Sequence, residues 1–320
     1  MNHNNEHKPH VFIVILNYMN WMDVQECLES IFRSGYEQFT VIVIDNDSKN
    51  NSLEHLMRWA DERTSTHKPL EYAYYKTEAF KTEIIESGHP KLLFVQNNIN
   101  AGFAAGLNPV LSCLQQENAY IWLLNPDMVL EGSTLEELIA FGEANVQRSI
   151  IGAVIKYYRE PEKIHLYAGG SINFNTATVK MATRKEDCLQ LDYVSGGSLF
   201  THAANFHELG LLPEDYFLYW EETDWCYAAK KKGYSLLLCE KAVCYDKVST
   251  TIGKSYLADY YYTRNGLKFL QKYKKEKINT AVFFAAFRFL KRIVTGRLAR
   301  AKGVYKGIIS FLKEDKHENR

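Results

Sequence analysis

The 320-residue chain has no long hydrophobic run. Its apolar stretches, of which Val11-Phe12-Ile13-Val14-Ile15-Leu16 is typical, stop far short of the ~18 residues a spanning helix needs. Six cysteines, Cys27, Cys113, Cys188, Cys226, Cys239 and Cys244, form no Cys-x-x-Cys pair and share no repeated spacing. That argues against a zinc knuckle and against a disulfide framework. Met1 to His10 is polar and carries no apolar signal region, so a reducing, cytoplasmic setting is expected. Net charge is also missing, because 38 Lys and Arg balance 38 Asp and Glu, and a general attraction to nucleic acid is not indicated. Tandem repeats and low-complexity segments are absent.

The composition that remains, 46% hydrophobic and 24% charged, is ordinary for a globular chain of one or two domains. The zero net charge hides an asymmetry. Lys and Arg crowd Lys268 to Lys306, where Glu276 is the lone acid, while carboxylates dominate Glu208 to Asp224.

Val11 to Leu16 and Thr40 to Ile44 read as strands buried on both faces, joined by a helix over Asp23 to Phe32 in which Val24, Cys27, Leu28, Ile31 and Phe32 recur at helical spacing. This is a βαβ unit of a doubly wound sheet, whose ligands bind beyond the strand C-termini. Asn17 and Asp45-Asn46-Asp47-Ser48 stand at two such ends. A strand at Lys91 to Val95 is followed by a polar turn, Gln96 to Asn108 with Gly102 and Gly106, which opens a helix running to about Gln116 and can face an anion with its first N–H groups.

Tyr120 to Leu124 forms another buried strand, ended by Asn125-Pro126-Asp127. Pro126 cannot donate to a ladder, so Asn125 and Asp127 leave the sheet together as two short oxygen ligands, a donor type suited to Mg²⁺ or Mn²⁺. Taken alone, the three residues serve equally as a turn. Ser133 with Glu136 and Glu137 starts a helix in capping-box fashion. Beyond Ile150 come a strand, hairpins to about Asp192, and a strand over Tyr193 to Phe200 with a glycine pair. An acidic cluster, Glu221, Glu222 and Asp224, then opens a helix, where the helix dipole by itself accounts for negative charge. Ser235 to Cys239 and Ala242 to Tyr245 are two short strands, and the pattern turns helical after Tyr256.

In this order and spacing, Val14-Ile15-Leu16-Asn17-Tyr18, Val43 to Ser48, Asn97 to Asn108, Leu124 to Asp127, Ser195-Gly196-Gly197, Phe217 to Cys226 and Tyr262-Thr263-Arg264-Asn265 resemble the family 2 glycosyltransferases, in particular a rhamnosyltransferase-like branch of bacterial surface polysaccharide synthesis. The resemblance covers about residues 10 to 270. It implies an α/β fold of the glycosyltransferase A type, a Rossmann-like mixed sheet flanked by helices, in residues 1–255. About 10–130 would bind the nucleotide sugar and about 131–255 the acceptor, with a helical C-terminal extension over 256–320. The implied reaction moves a sugar, with inversion, from a uridine or thymidine diphosphate sugar to a hydroxyl of a glycan or lipid-linked acceptor.

The resemblance also assigns residues. Asp127 and Asn125 take the place of the family's metal motif, with Mg²⁺ or Mn²⁺ as cofactor. Glu222 is the expected base, Glu221 its nearest rival, and Asp224 the following acid. Asp45 would accept from a pyrimidine N3–H with Asn17 in the same pocket, while Asn100 and Gly102 would shape the donor site. Asp45 as a loop cap and Asn100 as a structural cap remain open. Asp246 stands where the family commonly has a metal-binding His, and is expected to complete the metal set. Phe283, Phe284, Phe287, Leu290, Ile293 and Val294 alternate with Arg288, Lys291, Arg292 and Arg297, as in a helix that lies on an anionic membrane, packs on its own domain or meets a second subunit. Two other classes fit parts of the pattern: a nucleotidyltransferase, which lacks its triphosphate loop here, and a non-catalytic sugar-nucleotide binder or scaffold.

Overall fold

The computed structural model describes residues 8–66, 70–114, 118–248 and 255–318. Its centre is a mixed sheet. Strands β1 (His10–Asn17), β2 (Phe39–Asp45), β3 (Tyr72–Lys76), β4 (Leu92–Gln96) and β5 (Ala119–Leu124) run parallel in the order β3-β4-β2-β1-β5. Beyond β5 the sheet continues through β12, β7, β13 and β6, where β6 spans Met128–Leu130, β7 Ser149–Tyr157, β12 Ser198–His202 and β13 Ser235–Asp246. The strand β12 is antiparallel to both neighbours. An antiparallel partner, β8 (Glu160–Tyr167), pairs with β7, and a small second sheet holds β9 (Gly169–Asn173), β10 (Thr178–Met181) and β11 (Tyr193–Val194).

Alternation along the strands sorts the core into two layers. Val11, Ile13 and Ile15 face helices α1 (Trp21–Ile31) and α2 (Ser52–Thr66), whereas Phe12 and Val14 face α3 (Thr82–Glu86) and α4 (Phe103–Leu111). Helix α5 (Thr134–Glu143) covers the first layer farther along the sheet; α6 (Ala204–Leu209) and α7 (Glu221–Lys231) cover the second. Every strand from β1 to β5 except β3 is almost wholly buried, as apolar strands covered on both faces must be.

Three local expectations change. The predicted strand over 193–200 is two strands, because Ser195 to Gly197 leaves the ladder as a turn. The two short strands after Ser235 are one, β13, whose register shifts between Cys239 and Val243 and so disguises its continuity. Ser133 precedes α5 but makes no side-chain capping bond. The far end of the predicted helix near Gln116 lies outside the described residues.

Helices α8 (Tyr256–Tyr273), α9 (Ile278–Val294) and α10 (Leu298–Glu318) follow the sheet. Leu267, Phe269 and Leu270 of α8 join Tyr216, Trp220, Ala281 and Phe311 in a separate apolar cluster. The helical segment is therefore bonded to the loop before α7. Among the described residues no helix is long and apolar enough to cross a membrane, and all six cysteines are free thiols.

Candidate active site

Parallel register brings the sequence-predicted pocket residues to one level: Asn17 lies beside Asp45, and Asp45 beside Gln96. Asp45 is fully buried. Its Oδ1 accepts from the Ser48 N–H and from Gln96 Nε2, both at 2.9 Å, and its Oδ2 from Asn17 Nδ2 at 2.7 Å. Ionised, it has about four acceptor directions, so three donors hold it in place and still leave room for one more. The carboxylate lines a cavity of about 290 Å³ with Ser48, Ser52, Met57, Tyr74 and Gln96. Gln96 was read only as the start of a polar turn, and strand register reveals that it touches Asp45.

Asn100 and Gly102 shape the adjoining turn. Asn100 Oδ1 accepts from Asn46 Nδ2 at 3.0 Å and from the Gly102 N–H at 3.1 Å, the behaviour of a structural cap. Gly102 has φ +101, and a Cβ there would lie 2.3 Å from the Phe217 carbonyl oxygen. Only glycine lets these two backbones touch, and the Phe103 N–H donates to the same oxygen at 2.8 Å.

Strand β5 ends at Leu124, and Asn125-Pro126-Asp127 turns back into β6 with Met128 N–H on the Asn125 carbonyl. The Asn125 N–H donates to the Gly197 carbonyl at 3.1 Å. Asp127 is buried, and its backbone carbonyl accepts from the Lys247 N–H. Burial pushes the Cys27 thiol well up, and the charge of Asp127 is one of its causes, so the carboxylate lies near that thiol. Asp246, beside Met128 in the ladder, is paired with a histidine. Its Oδ2 lies 2.9 Å from His165 Nδ1 and its Oδ1 accepts from the Val248 N–H at 2.6 Å. Among the described residues no group of three His, Cys, Asp or Glu is arranged for a metal ion. The donor chemistry at Asn125 and Asp127 nevertheless fits a hard cation that takes most of its shell from water and phosphate oxygens.

The acidic cluster occupies the first turn of α7 behind a strained approach, for Phe217, Tyr219 and Trp220 all have positive φ. Asn265 of α8 holds this loop, its Nδ2 lying 2.8, 2.7 and 3.0 Å from the carbonyls of Tyr216, Leu218 and Tyr219. Trp220 Nε1 donates to the Tyr262 carbonyl, and Arg264 to the Tyr216 carbonyl.

The three acids then part company. Glu221 is 3% exposed and its Oε2 has no hydrogen-bond partner. Burial, and then the charge of Glu222, raise its carboxyl well above the usual range. Burial also raises Glu222, against the pull of backbone N–H groups that include Thr223 and Gly196. Asp224 is closed off. It accepts from Tyr216 at 2.9 Å, from Tyr273 at 2.5 Å and from Lys272 Nζ at 2.8 Å, and so ties α7 to α8.

One turn joins the two clusters. Gly197 meets Asn125, while the position a Cβ would take on Gly196 is 3.4 Å from Glu222 Cγ. The Asn125 carboxamide and the raised Glu222 carboxyl therefore flank the same three residues, Ser195 to Gly197, across the junction of the parallel and antiparallel halves.

The model for glycosyl transferase family 2 matches residues 11–205, and the chain belongs to that family. A low-salt glycan biosynthesis hexosyltransferase, Agl10 of Haloferax volcanii, is 22% identical over 71% of this chain and 64% of its own length. The chain thus spans somewhat less than two thirds of that relative. Among solved structures, the mannosyltransferase PcManGT of Pyrobaculum calidifontis, in complex with GDP-Man and Mn²⁺, superposes with a TM-score of 0.59 at 14% identity, covering 96% of this chain and 88% of the other. Residues 1–349 of TarS from S. aureus, in complex with UDP-GlcNAc, give 0.52 at 14% identity over 87% and 71%. The fold is that of the glycosyltransferase A class.

Proposed function

We propose that this chain is an inverting glycosyltransferase that moves a sugar from a nucleoside diphosphate sugar to a hydroxyl of a glycan or lipid-linked acceptor. The observation that carries the reading is the Ser195 to Gly197 turn, which sets Asn125 of the diphosphate side against Glu222 of the acceptor side. In the reaction the acceptor oxygen forms a bond to the anomeric carbon while the bond to the diphosphate oxygen breaks. Inversion needs a base on the face opposite the leaving group. Glu222 takes the hydroxyl proton in this reading, and burial, which raises its carboxyl above the ordinary range, makes it a stronger base. Glu221, more deeply buried, holds its proton to higher pH and is the weaker choice.

Asp45 receives a base N–H through its remaining acceptor direction, with Asn17 and Gln96 fixing its orientation. Asp127, assisted by the Asn125 carbonyl oxygen, would hold Mg²⁺ or Mn²⁺, which when bound offsets the charge gathering on the departing diphosphate. Asp246 and His165 stand as a pair one residue from the Lys247 N–H that Asp127 receives. Asp224 does not touch substrate in this scheme; it positions α7.

The test is a thermal-shift screen of the full chain with UDP-GlcNAc, UDP-glucose, dTDP-rhamnose and GDP-mannose, with and without Mn²⁺, followed by release of nucleoside diphosphate. At least one donor should raise the melting temperature, and Glu222→Gln should keep that shift while losing turnover. Normal turnover by Glu222→Gln overturns the base assignment.

A further inference from the structure

Helix α9 is amphipathic in the wrong sense for a helix packed on its own protein. The side toward α8 carries Ala281, Ala285, Arg288 and Arg292. Of these, Arg292 pairs with buried Asp259, and Arg288 donates to Thr263 at 3.1 Å beneath the Tyr262 ring. The opposite side carries Phe283, Phe287, Leu290 and Val294, exposed by 68, 61, 56 and 87%. The spacings of four, three and four residues put these side chains on one line. Phe284, Ile293 and Leu298, also exposed, widen the stripe. A contiguous apolar face of this kind marks an interaction surface rather than a scatter of lone residues.

Charge decides the occupant. No Asp or Glu lies between Ile278 and Tyr305, and Lys291, Arg297 and Lys302 are exposed there, with Lys274 and Lys275 at the near end of the helix. A second copy presenting the same face would bring these cations together with Glu276 as the lone acid to offset them. An anionic lipid surface accepts both features, taking the aromatic stripe below its headgroups and the cations at their level. We propose that α9 docks the protein on an anionic membrane through Phe283, Phe287, Leu290 and Val294, with Lys291 and Arg297 at the headgroups. The polar side of α9 bonds to α8 at Asp259 and Thr263, and Thr263 precedes the Arg264 and Asn265 that hold the loop before α7. The docking helix is thus one helix removed from the catalytic loop.

Flotation of the full chain with vesicles of equal parts phosphatidylcholine and phosphatidylglycerol tests this. Wild-type protein should float with these vesicles and stay in solution with pure phosphatidylcholine. The triple substitution Phe283→Ser, Phe287→Ser, Leu290→Ser should weaken partition at least about a hundredfold while leaving the melting temperature in place, because the side chains removed are exposed in the free protein. Lys291→Glu with Arg297→Glu should lower partition into the anionic vesicles. Equal binding by wild type and the triple variant overturns the proposal, as does failure of the wild type to float. Sedimentation velocity separates the rival occupant: a wild-type dimer that the triple variant abolishes, without vesicle binding, assigns the face to a second copy.

Discussion

Asn265 Nδ2 lies 3.0 Å from the Tyr219 carbonyl, two residues before Glu221. Because the same nitrogen also reaches Tyr216 and Leu218, one amide of α8 restrains a loop whose positive φ values would otherwise relax. Asn265→Ala should leave buried carbonyls without donors at a cost of about 1 to 3 kcal/mol. Turnover is expected to fall more than donor affinity, since Asp45 and Asp127 lie on other elements. Steady-state kinetics beside nucleotide calorimetry would show the split; equal losses in both would mean that the loop does not set the geometry of the acids.

Gly102→Ala should be one of the most damaging single-methyl additions in the chain. It places a Cβ 2.3 Å from a backbone oxygen at φ +101, so the Phe217 segment must move. Gly132→Ala meets nothing within 4 Å and carries no φ penalty, and is expected to melt as the wild type does. Comparison of the two melting curves checks the claim.

Asp224→Ala should act on stability. Its carboxylate is 1% exposed and holds Lys272, Tyr273 and Tyr216. The half-exposed Lys272 stays solvated, so the cost is that of the lost hydrogen bonds to the Tyr216 and Tyr273 hydroxyls, about 1 to 3 kcal/mol. A lower denaturant midpoint, with donor affinity of the folded fraction unchanged, is the expected outcome. A variant as stable as wild type but unable to turn over would return Asp224 to the catalytic group.

The sheet was legible because strands buried on both faces read as unbroken runs of Val, Ile and Leu, and β1, β2 and β5 were placed to within a residue or two. The clustering of Asn17 with Asp45 was legible for the same reason, as both close strands of one βαβ unit. Contacts across the sheet were not. Gln96 at Asp45 and His165 at Asp246 depend on which strands become neighbours, and single-sequence periodicity does not record that. Glu222 was set ahead of Glu221 and Asp224 by the family resemblance, not by any local signal that separates three acids in one helical turn. Their separate environments arise because helical geometry turns each residue by about 100° from the last, so one meets the Gly196 turn and another the α8 clamp.

Asp127→Ala should weaken Mn²⁺-dependent donor binding by about tenfold or more, since it removes the one carboxylate of a sparse oxygen set. Asp246→Ala should have a smaller effect on Mn²⁺ affinity, because His165 and the Val248 N–H already offset part of its negative charge. Calorimetric titration of nucleotide with and without Mn²⁺ ranks the two. Equal losses would place Asp246 in the metal set despite its pairing with His165.

Glu221 gives stability a pH dependence with a definite sign. Burial raises its folded pKa well above the ordinary 4.5. As pH climbs past that ordinary value the unfolded chain releases the proton first, while the folded chain retains it. The unfolded state then binds fewer protons, and stability falls with pH until the folded carboxyl also ionises. The slope approaches about 1.4 kcal/mol per pH unit for a proton fully retained on folding. Glu221→Gln keeps a neutral side chain of nearly the same shape, so it should flatten that slope and stabilise the protein at pH values above the ordinary 4.5. Because Glu221 is already neutral while Glu222 titrates, the rise of kcat/KM with pH should stay in place in the same variant. Denaturant midpoints and pH–rate profiles measured together decide it: a steeper stability slope, or an acid shift of the rate profile, would overturn the assignment of Glu221 as the protonated partner.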